Sequence, residues 1–200
     1  LQVIWFSLTE PTTGCSTIGS FILNVVNSAT VVYIPDVNFK AALLSSSSTI
    51  HIGVSNTSGN FGPIDTNFDG EIQFSEAQDI GILYIENLNI SDLTGIEAFI
   101  NIYDLRCSQN NLTTLNLSQN TDLIILGCNS NQLTNLNISN SININSLNCA
   151  DNQLTTLNID NNINLQYFTS SYNQLSLLNI NTLTNLIYFE CTNNNLTSLN

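Results

Sequence analysis

From Leu105 onward the chain repeats itself every 21 residues, and this period limits the folds open to it more than any other feature. The segments that start at Leu105, Leu126, Leu147, Phe168 and Phe189 share one apolar register. Seven residues into each copy stands Leu112, Leu133, Leu154, Leu175 or Leu196, and three further on stands Leu115, Leu136, Leu157, Leu178 or Leu199. Five residues in, every copy has asparagine: Asn110, Asn131, Asn152, Asn173 and Asn194. Self-similarity at this period predicts a solenoid, in which each unit buries its apolar edge only by stacking on its neighbours.

Each copy reads LxCxxNxLxxLxLxxNxxLxx, two nested half-units. Leu105 and Cys107 are predicted to point inward from a short strand. Asn110 then turns the chain, its amide bonding backbone groups of its own and the adjacent coil, and Leu115 and Leu117 lie on the return side. Leu83 to Asp104 forms a first, slightly longer coil. Cys107, Cys128, Cys149 and Cys191 share one position, where the fourth copy has Ser170. They are read as a ladder of compact core side chains. Disulfides among them are not expected, because stacked parallel strands aim their Cβ atoms side by side and not at each other. Zinc is disfavoured by the lack of a CxxC pair and by a single histidine. Cys15 lies outside the repeat.

Composition removes several functions. The net charge is −13, with Lys40 and Arg106 as the two basic residues. Nucleic acid and anionic membrane surfaces both require clustered Lys and Arg, so the expected small partner is a cation. Solubility rests on neutral polar groups, since about one residue in six is Asn, a residue suited to frequent turns. No apolar stretch approaches the roughly 20 residues that span a bilayer. The N-terminus has no secretory signal pattern, and the repeat stops in mid-copy at Asn200, so the chain is expected to be part of a longer one.

Residues 1–33 read as β structure, with apolar runs at Val3–Leu8 and Ser20–Val26 separated by a turn at Glu10–Gly14. They are expected to be the closing hairpin of a partial β-sandwich. Pro35 to Leu44 has apolar residues at Val37, Ala41 and Leu44, a short amphipathic helix pattern. Ser45 to Pro63 is read as a loop. The segment Asp65 to Glu76 then fits D-x-[DN]-x-[DN]-G-x5-E at every specified position. Calcium takes six to eight oxygens. Asp65, Asn67 and Asp69 would give side-chain oxygens, Glu71 its carbonyl, Gln73 a contact through water, and Glu76 both carboxylate oxygens. Gly70 permits the bend and Ile72 packs inward. The competing reading is an acidic surface turn that holds nothing tightly, since Gly62 and Pro63 leave no helix before the loop.

On these residues the chain resembles the leucine-rich repeats of the short, nested type found in secreted bacterial surface proteins. Ile90-Ser91-Asp92-Leu93-Thr94-Gly95-Ile96 resembles the internalin repeat. Ile34 to Lys40, followed by Asp65 to Ala77, resembles the helical cap of such proteins. The resemblance covers residues 34–200. It implies an α+β fold: a leucine-rich-repeat solenoid of short parallel strands over 83–200, a small helical cap with a calcium loop over 34–82, and the β hairpin before it. It also implies an extracellular or cell-surface module for adhesion or interaction.

Two surfaces stand out. On the sheet side a row of Ile125, Ser146, Tyr167 and Tyr188, with Tyr172 nearby and Arg106, Asn148, Thr169 and Glu190 beside it, suits a glycan or a protein loop. The alternative is that the tyrosines only cover the strand ladder. On the other side, Asn116, Asn137, Asn158, Asn179 and Asn200 form a second array beside Thr114, Asn135, Thr156, Leu177 and Ser198. An ordered-water, ice-binding role for that array is a remote alternative, and a structural spacer in a long surface protein is another. For catalysis there is little: His51 is the single histidine, and no base is placed beside a nucleophile.

Overall fold

The computed structural model describes residues 2–9, 16–23 and 31–199, with side chains over 31–198, and divides the chain into two compact units, Leu1–Val31 and Val32–Asn200. In the first unit, β1 (Gln2–Thr9) and β2 (Ser16–Leu23) form an antiparallel hairpin paired from Gln2–Leu23 to Thr9–Ser16. The second strand begins at Ser16, earlier than the run from Ser20 suggested. The expected turn at Glu10–Gly14, Cys15 and the end of the second run lie outside the described residues.

The second unit is a leucine-rich-repeat solenoid. Its main sheet is built from β3 (Gly53–Ser55), β4 (Ile80–Tyr84), β5 (Asp104–Arg106), β7 (Ile125–Gly127), β9 (Ser146–Asn148), β10 (Tyr167–Thr169) and β12 (Tyr188–Glu190), in that spatial order. From β4 to β12 every pairing is parallel and in register with the repeat, as in Leu105–Leu126, Leu126–Leu147 and Leu147–Phe168. The return side pairs β6 (Thr114–Asn116) with β8 (Asn135–Asn137), and β11 (Leu177–Leu178) with β13 (Ser198–Leu199). Leu105, Cys107, Leu112, Leu117 and Leu123 of the first full copy are fully buried, as are their counterparts through Leu165 and Phe168.

The asparagine column explains why the coils stack. Asn152 donates to Cys128 O of the preceding coil (3.1 Å) and to Cys149 O and Ala150 O of its own, while its Oδ1 accepts Leu133 N (2.9 Å). Asn131 and Asn173 repeat this arrangement one coil away on either side. The residue before each column asparagine has left-handed backbone, φ 52–58° at Gln109, Ser130, Asp151, Tyr172 and Asn193. That bend turns the chain out of the sheet and leaves its carbonyls and N–H groups facing inward, where the amide pairs them. A second column supports the return side. Asn120 donates to Ile96 O and Phe99 O, Ser141 to Leu117 O and Asn120 O, and Asn162 to Ser141 O. Leu183 stands at this position in the next copy and has no donor to offer.

The cap departs from expectation in two places. Helix α1 (Val37–Ser45) buries Phe39, Ala42 and Leu43 and leaves Val37 and Leu44 on the surface. The inward stripe is therefore set by the large Phe39 ring, whose centroid lies 6.4 Å from that of Phe99 in the first coil, and not by the 37/41/44 spacing. The stretch Ser45–Pro63 is also more than a loop. It contains β3, which runs antiparallel to β4 and covers the edge of the sheet, and Val54 bridges to Phe61 beyond it. An uncovered edge would expose unpaired N–H and C=O groups. Helix α2 (Phe74–Gln78) follows, with Ala77 buried.

The cysteine position is apolar in every coil but one. Cys107, Cys128 and Cys149 are buried free thiols and Cys191 is a partly buried one. The Ser170 hydroxyl, fully buried among them, has no hydrogen-bond partner. Ser170→Cys is therefore expected to raise stability by about 1 kcal/mol, since an unpaired buried hydroxyl is replaced by a thiol that needs no partner. Asn152→Leu should lower it by at least about 2 kcal/mol, because the carbonyls and the N–H it serves are left unpaired. Urea melts of the two variants against the parent check both signs.

Candidate binding face and cap loop

Strand periodicity decides what the sheet presents. With Leu105, Leu126, Leu147 and Phe168 inward, the residues on either side of them point out. Register then aligns one outward row of Ile82, Asp104, Ile125, Ser146, Tyr167 and Tyr188, and a second of Tyr84, Arg106, Gly127, Asn148, Thr169 and Glu190. The sheet-side residues named from sequence thus fall on one face, apart from Tyr172, which sits at the left-handed turn past β10 and is well exposed.

The far end of this face is open. Tyr167 is 47% exposed and Tyr188 50%. Thr169 donates to Asn148 Oδ1 (2.8 Å), and the Tyr188 hydroxyl turns along its own strand to Glu190 Oε2 (2.9 Å). That bond and the neighbouring carboxylate raise the Tyr188 phenol above its ordinary value. The cap end is different. Asp104 is buried at an outward position. Its carboxylate accepts Arg106 Nε and Nη2, both at 3.1 Å, and the Tyr84 hydroxyl at 3.3 Å. The guanidinium carbon lies 4.7 Å from the centroid of the Tyr84 ring. Hydrogen bonding to Asp104 raises the Arg106 pKa, and burial, followed by the Asp104 charge, raises that of Tyr84. Arg106 is thus committed to its carboxylate, a local use set by the packing of Asp104 and Tyr84 and by no pattern in the sequence.

Of the six residues of the twelve-residue motif, Asp65 to Gln73 lie in one loop and Glu76 lies in α2 just after it. Asp65 is buried and accepts Asp69 N (3.2 Å) and Gly70 N (3.0 Å), and Gly70 takes the left-handed bend at φ 81°. Asn67 Nδ2 donates to Gln73 Oε1, and Gln73 Nε2 donates to both oxygens of Asp69. A backbone bond from Glu71 is the main cause holding the Asp69 carboxyl below its ordinary value. Glu76 accepts Thr66 N and Oγ1 on one oxygen and Gln73 N on the other, and Glu71 pairs with Lys40 (2.7 Å). Among the described residues no three Asp, Glu, His or Cys side chains converge as a metal-ligating group. The donors are all oxygens, the kind calcium takes. The amide N–H groups of Asn67 and Gln73 stand between them where a cation would bring the oxygens together, and Glu76 would have to turn from Thr66.

The return-side array is engaged in making turns. Oδ1 of Asn116, Asn137, Asn158 and Asn179 each accepts the N–H two residues on. Asn200 lies outside the described residues. The thiols are poor nucleophiles: burial pushes Cys107 and Cys149 up to about 12 and Cys128 well above the ordinary value. His51 stacks on Phe61 with ring centroids 4.4 Å apart.

No protein-family model matches the sequence, and no curated protein matches it. Solved structures do match. The functional domain of InlJ from Listeria monocytogenes, which includes a cysteine ladder, is 30% identical with a TM-score of 0.65, over 80% of this chain and 34% of that one. The chain thus spans about a third of the length of that structure. Internalin C2 of Listeria monocytogenes matches at 20% identity and a TM-score of 0.55, over 82% of this chain and 73% of that one, which speaks to the fold alone. Among the described residues no helix is long and apolar enough to cross a membrane.

One carboxylate joins the cap to the first coil. Asp36 Oδ1 accepts Asn38 N and Phe39 N at the start of α1, and Oδ2 accepts Ser91 N, Ser91 Oγ and Asp92 N. Burial works to raise its pKa, and the hydrogen bonds from Phe39, Ser91 and Asp92 outweigh it, leaving the group below the ordinary carboxylate value. Because the folded value lies below the unfolded one, this stabilisation is present above the ordinary carboxylate value and lost as pH falls through the folded one. Asp36→Ala is expected to cost about 2 kcal/mol at neutral pH. The difference from the parent should shrink as the pH is lowered below about 4, where the unfolded carboxyl protonates. Denaturant melts at pH 7 and pH 2.5 check this, and an equal difference at both would mean that the charge contributes nothing.

Proposed function

We propose that this internalin-like leucine-rich-repeat solenoid is a non-catalytic recognition module working outside the cell, which contacts a protein or glycan through its sheet face. The observation that carries this reading is the aligned pair of outward rows. Tyr167 and Tyr188 stand exposed beside Asn148, Thr169 and Glu190, a mixture of ring surface and short polar groups of the kind that recognition surfaces use. Beneath them the core is fixed by the repeat, so the outward positions are free to differ from coil to coil. The buried high-pKa thiols, and the stacking of His51 on Phe61, support a role without chemistry.

The cap loop is proposed to hold one structural calcium. Asp65, Asn67, Asp69 and Glu76 would contribute side-chain oxygens, Glu71 its carbonyl and Gln73 a bridging water. The ion would replace the amide bonds that now cross the loop and stiffen the cap over the first coil. Extracellular calcium is plentiful enough for a site of modest affinity.

Two measurements test these readings. Screening the chain against cell-surface protein and glycan panels is expected to yield a partner whose affinity falls about tenfold or more in the Tyr167→Ala, Tyr188→Ala double variant, as for an aromatic anchor. Silence across both panels would favour a spacer. Calcium titrated into metal-free protein is expected to release or absorb heat and raise the melting temperature, and Asp69→Asn should abolish both. No heat and no shift would reduce the loop to an acidic turn.

A further inference from the structure

Where the cap meets the sheet, a cavity of about 440 Å³ opens on the outward side, walled by Phe61, Tyr84 and Tyr103 and rimmed by Ser55, Asn56 and Asn60. Its rings are held in place by groups outside the cavity. His51 stacks on Phe61 at 4.4 Å, and Phe61 lies 6.0 Å from Tyr84. Arg106 covers the Tyr84 ring, and Asp104 fixes both the Arg106 guanidinium and the Tyr84 hydroxyl. The chain's single histidine, one of its two basic residues and a buried carboxylate are all used to hold two aromatic walls. The rim is fastened too, because Asp79 accepts Ser55 Oγ, Thr57 N and Thr57 Oγ1.

Polar groups within the cavity remain free. The side-chain amide of Asn56 and the hydroxyl of Tyr103 make no hydrogen bond among the described residues, although both lie over the backbone of Gly81. A Cβ added at Gly81 would collide with Asn56 Oδ1 and Tyr103 Cε1, so the absence of a side chain there lets both groups take these positions. Asn60 Nδ2 is taken up by Ser58 O, which leaves its Oδ1 available.

We infer that this corner is a saccharide subsite, in which a sugar ring of a neutral glycan lies against Tyr103 and Phe61 while its hydroxyls bond Asn56, Asn60 and the Tyr103 hydroxyl. A sugar ring has an apolar C–H face and a hydroxyl edge, and the cavity offers rings beside unpaired amide and hydroxyl groups. Neutrality follows from charge: Arg106 is paired to Asp104, and a chain of net charge −13 repels acidic glycans. An extended peptide fits less well, because the strand edge it would join is already closed by the Val54–Phe61 bridge. The volume lies within the range of small-ligand sites. The inference deepens the recognition reading above and rests on the sheet side being a recognition surface.

The test is saturation-transfer NMR and calorimetry of the full chain against neutral oligosaccharides (glucans, galactans, mannans, chitin oligomers), with sialylated glycans as acidic controls. A neutral member is expected to bind, the acidic ones not. Tyr103→Ala should weaken binding about tenfold or more, the size of one lost anchor. Tyr103→Phe, which keeps the ring, should weaken it less, and Ile163→Ala, at an exposed position away from the sheet face, should leave it unchanged, with melting curves confirming the fold of each. Silence across the neutral panel overturns the inference, as does binding unaffected by both Tyr103→Ala and Asn56→Ala. Selection of peptides whose capture is lost in Tyr103→Ala, with the sugars silent, would overturn it in favour of a peptide site. If a partner is lost on the Tyr167→Ala, Tyr188→Ala double variant while no sugar binds, the recognition reading stands and only the subsite falls.

Discussion

A coil that turns every few residues cannot pair all its backbone groups through strands three residues long. At each turn out of the sheet several carbonyls and N–H groups point into the core, where water is absent and an unpaired group is costly. The asparagine column resolves this with one side chain per coil. Its amide carries donors and an acceptor on a short stem, enough to bond the carbonyls of two successive coils and an N–H of the coil before, as Asn152 and Asn173 both do. A glutamine would set the same amide one methylene further out, and an aspartate would lack the donors. The spacing between coils, the strand register and the inward direction of Leu105 and its counterparts all depend on that amide.

The end of such a stack is its weak point, and the cap treats it in two ways. β3 pairs antiparallel with β4 and closes the sheet edge, while α1 lays Phe39 against the apolar end of the first coil near Phe99. Asp36 makes these one structure, because the oxygen that starts the helix and the oxygen that holds Ser91 and Asp92 belong to the same carboxylate. The acidic loop from Asp65 to Glu76 is stitched by amide and backbone bonds among its own members, and a structural ion there would take the place of the amide bonds while keeping the bend at Gly70.

Because the inward half of each coil is fixed, chemical variety is confined to the outward half. Along the sheet that variety is graded. At one end the open tyrosines stand among short polar groups. At the other, Asp104 and Arg106 lock Tyr84 beside a cavity that the cap segment from Val54 to Phe61 helps to wall. The cap is therefore more than a lid, since Asn56, Asn60 and Phe61 come from it and Tyr84 and Tyr103 from the solenoid.

The period of 21, the apolar register and the recurring asparagine fixed the solenoid, its strands and the inward fate of the cysteines, because each follows from local pattern repeated. The twelve-residue loop was legible for the same reason: its residues are neighbours in sequence. What needed the tertiary structure were pairings between elements far apart in the chain. Nothing local marks Gly53–Ser55 as a strand, because its partner is β4. The inward face of α1 departs from the 37/41/44 spacing because Phe99, some 60 residues on, selects Phe39 over Val37. The burial of Asp104 under Arg106 and Tyr84, and the meeting of Phe61 with Tyr84 and Tyr103, likewise exist only once the cap has folded onto the first coils. Sequence periodicity determined what lies inside each coil; the packing of the cap on the sheet decided which outward residues became a site.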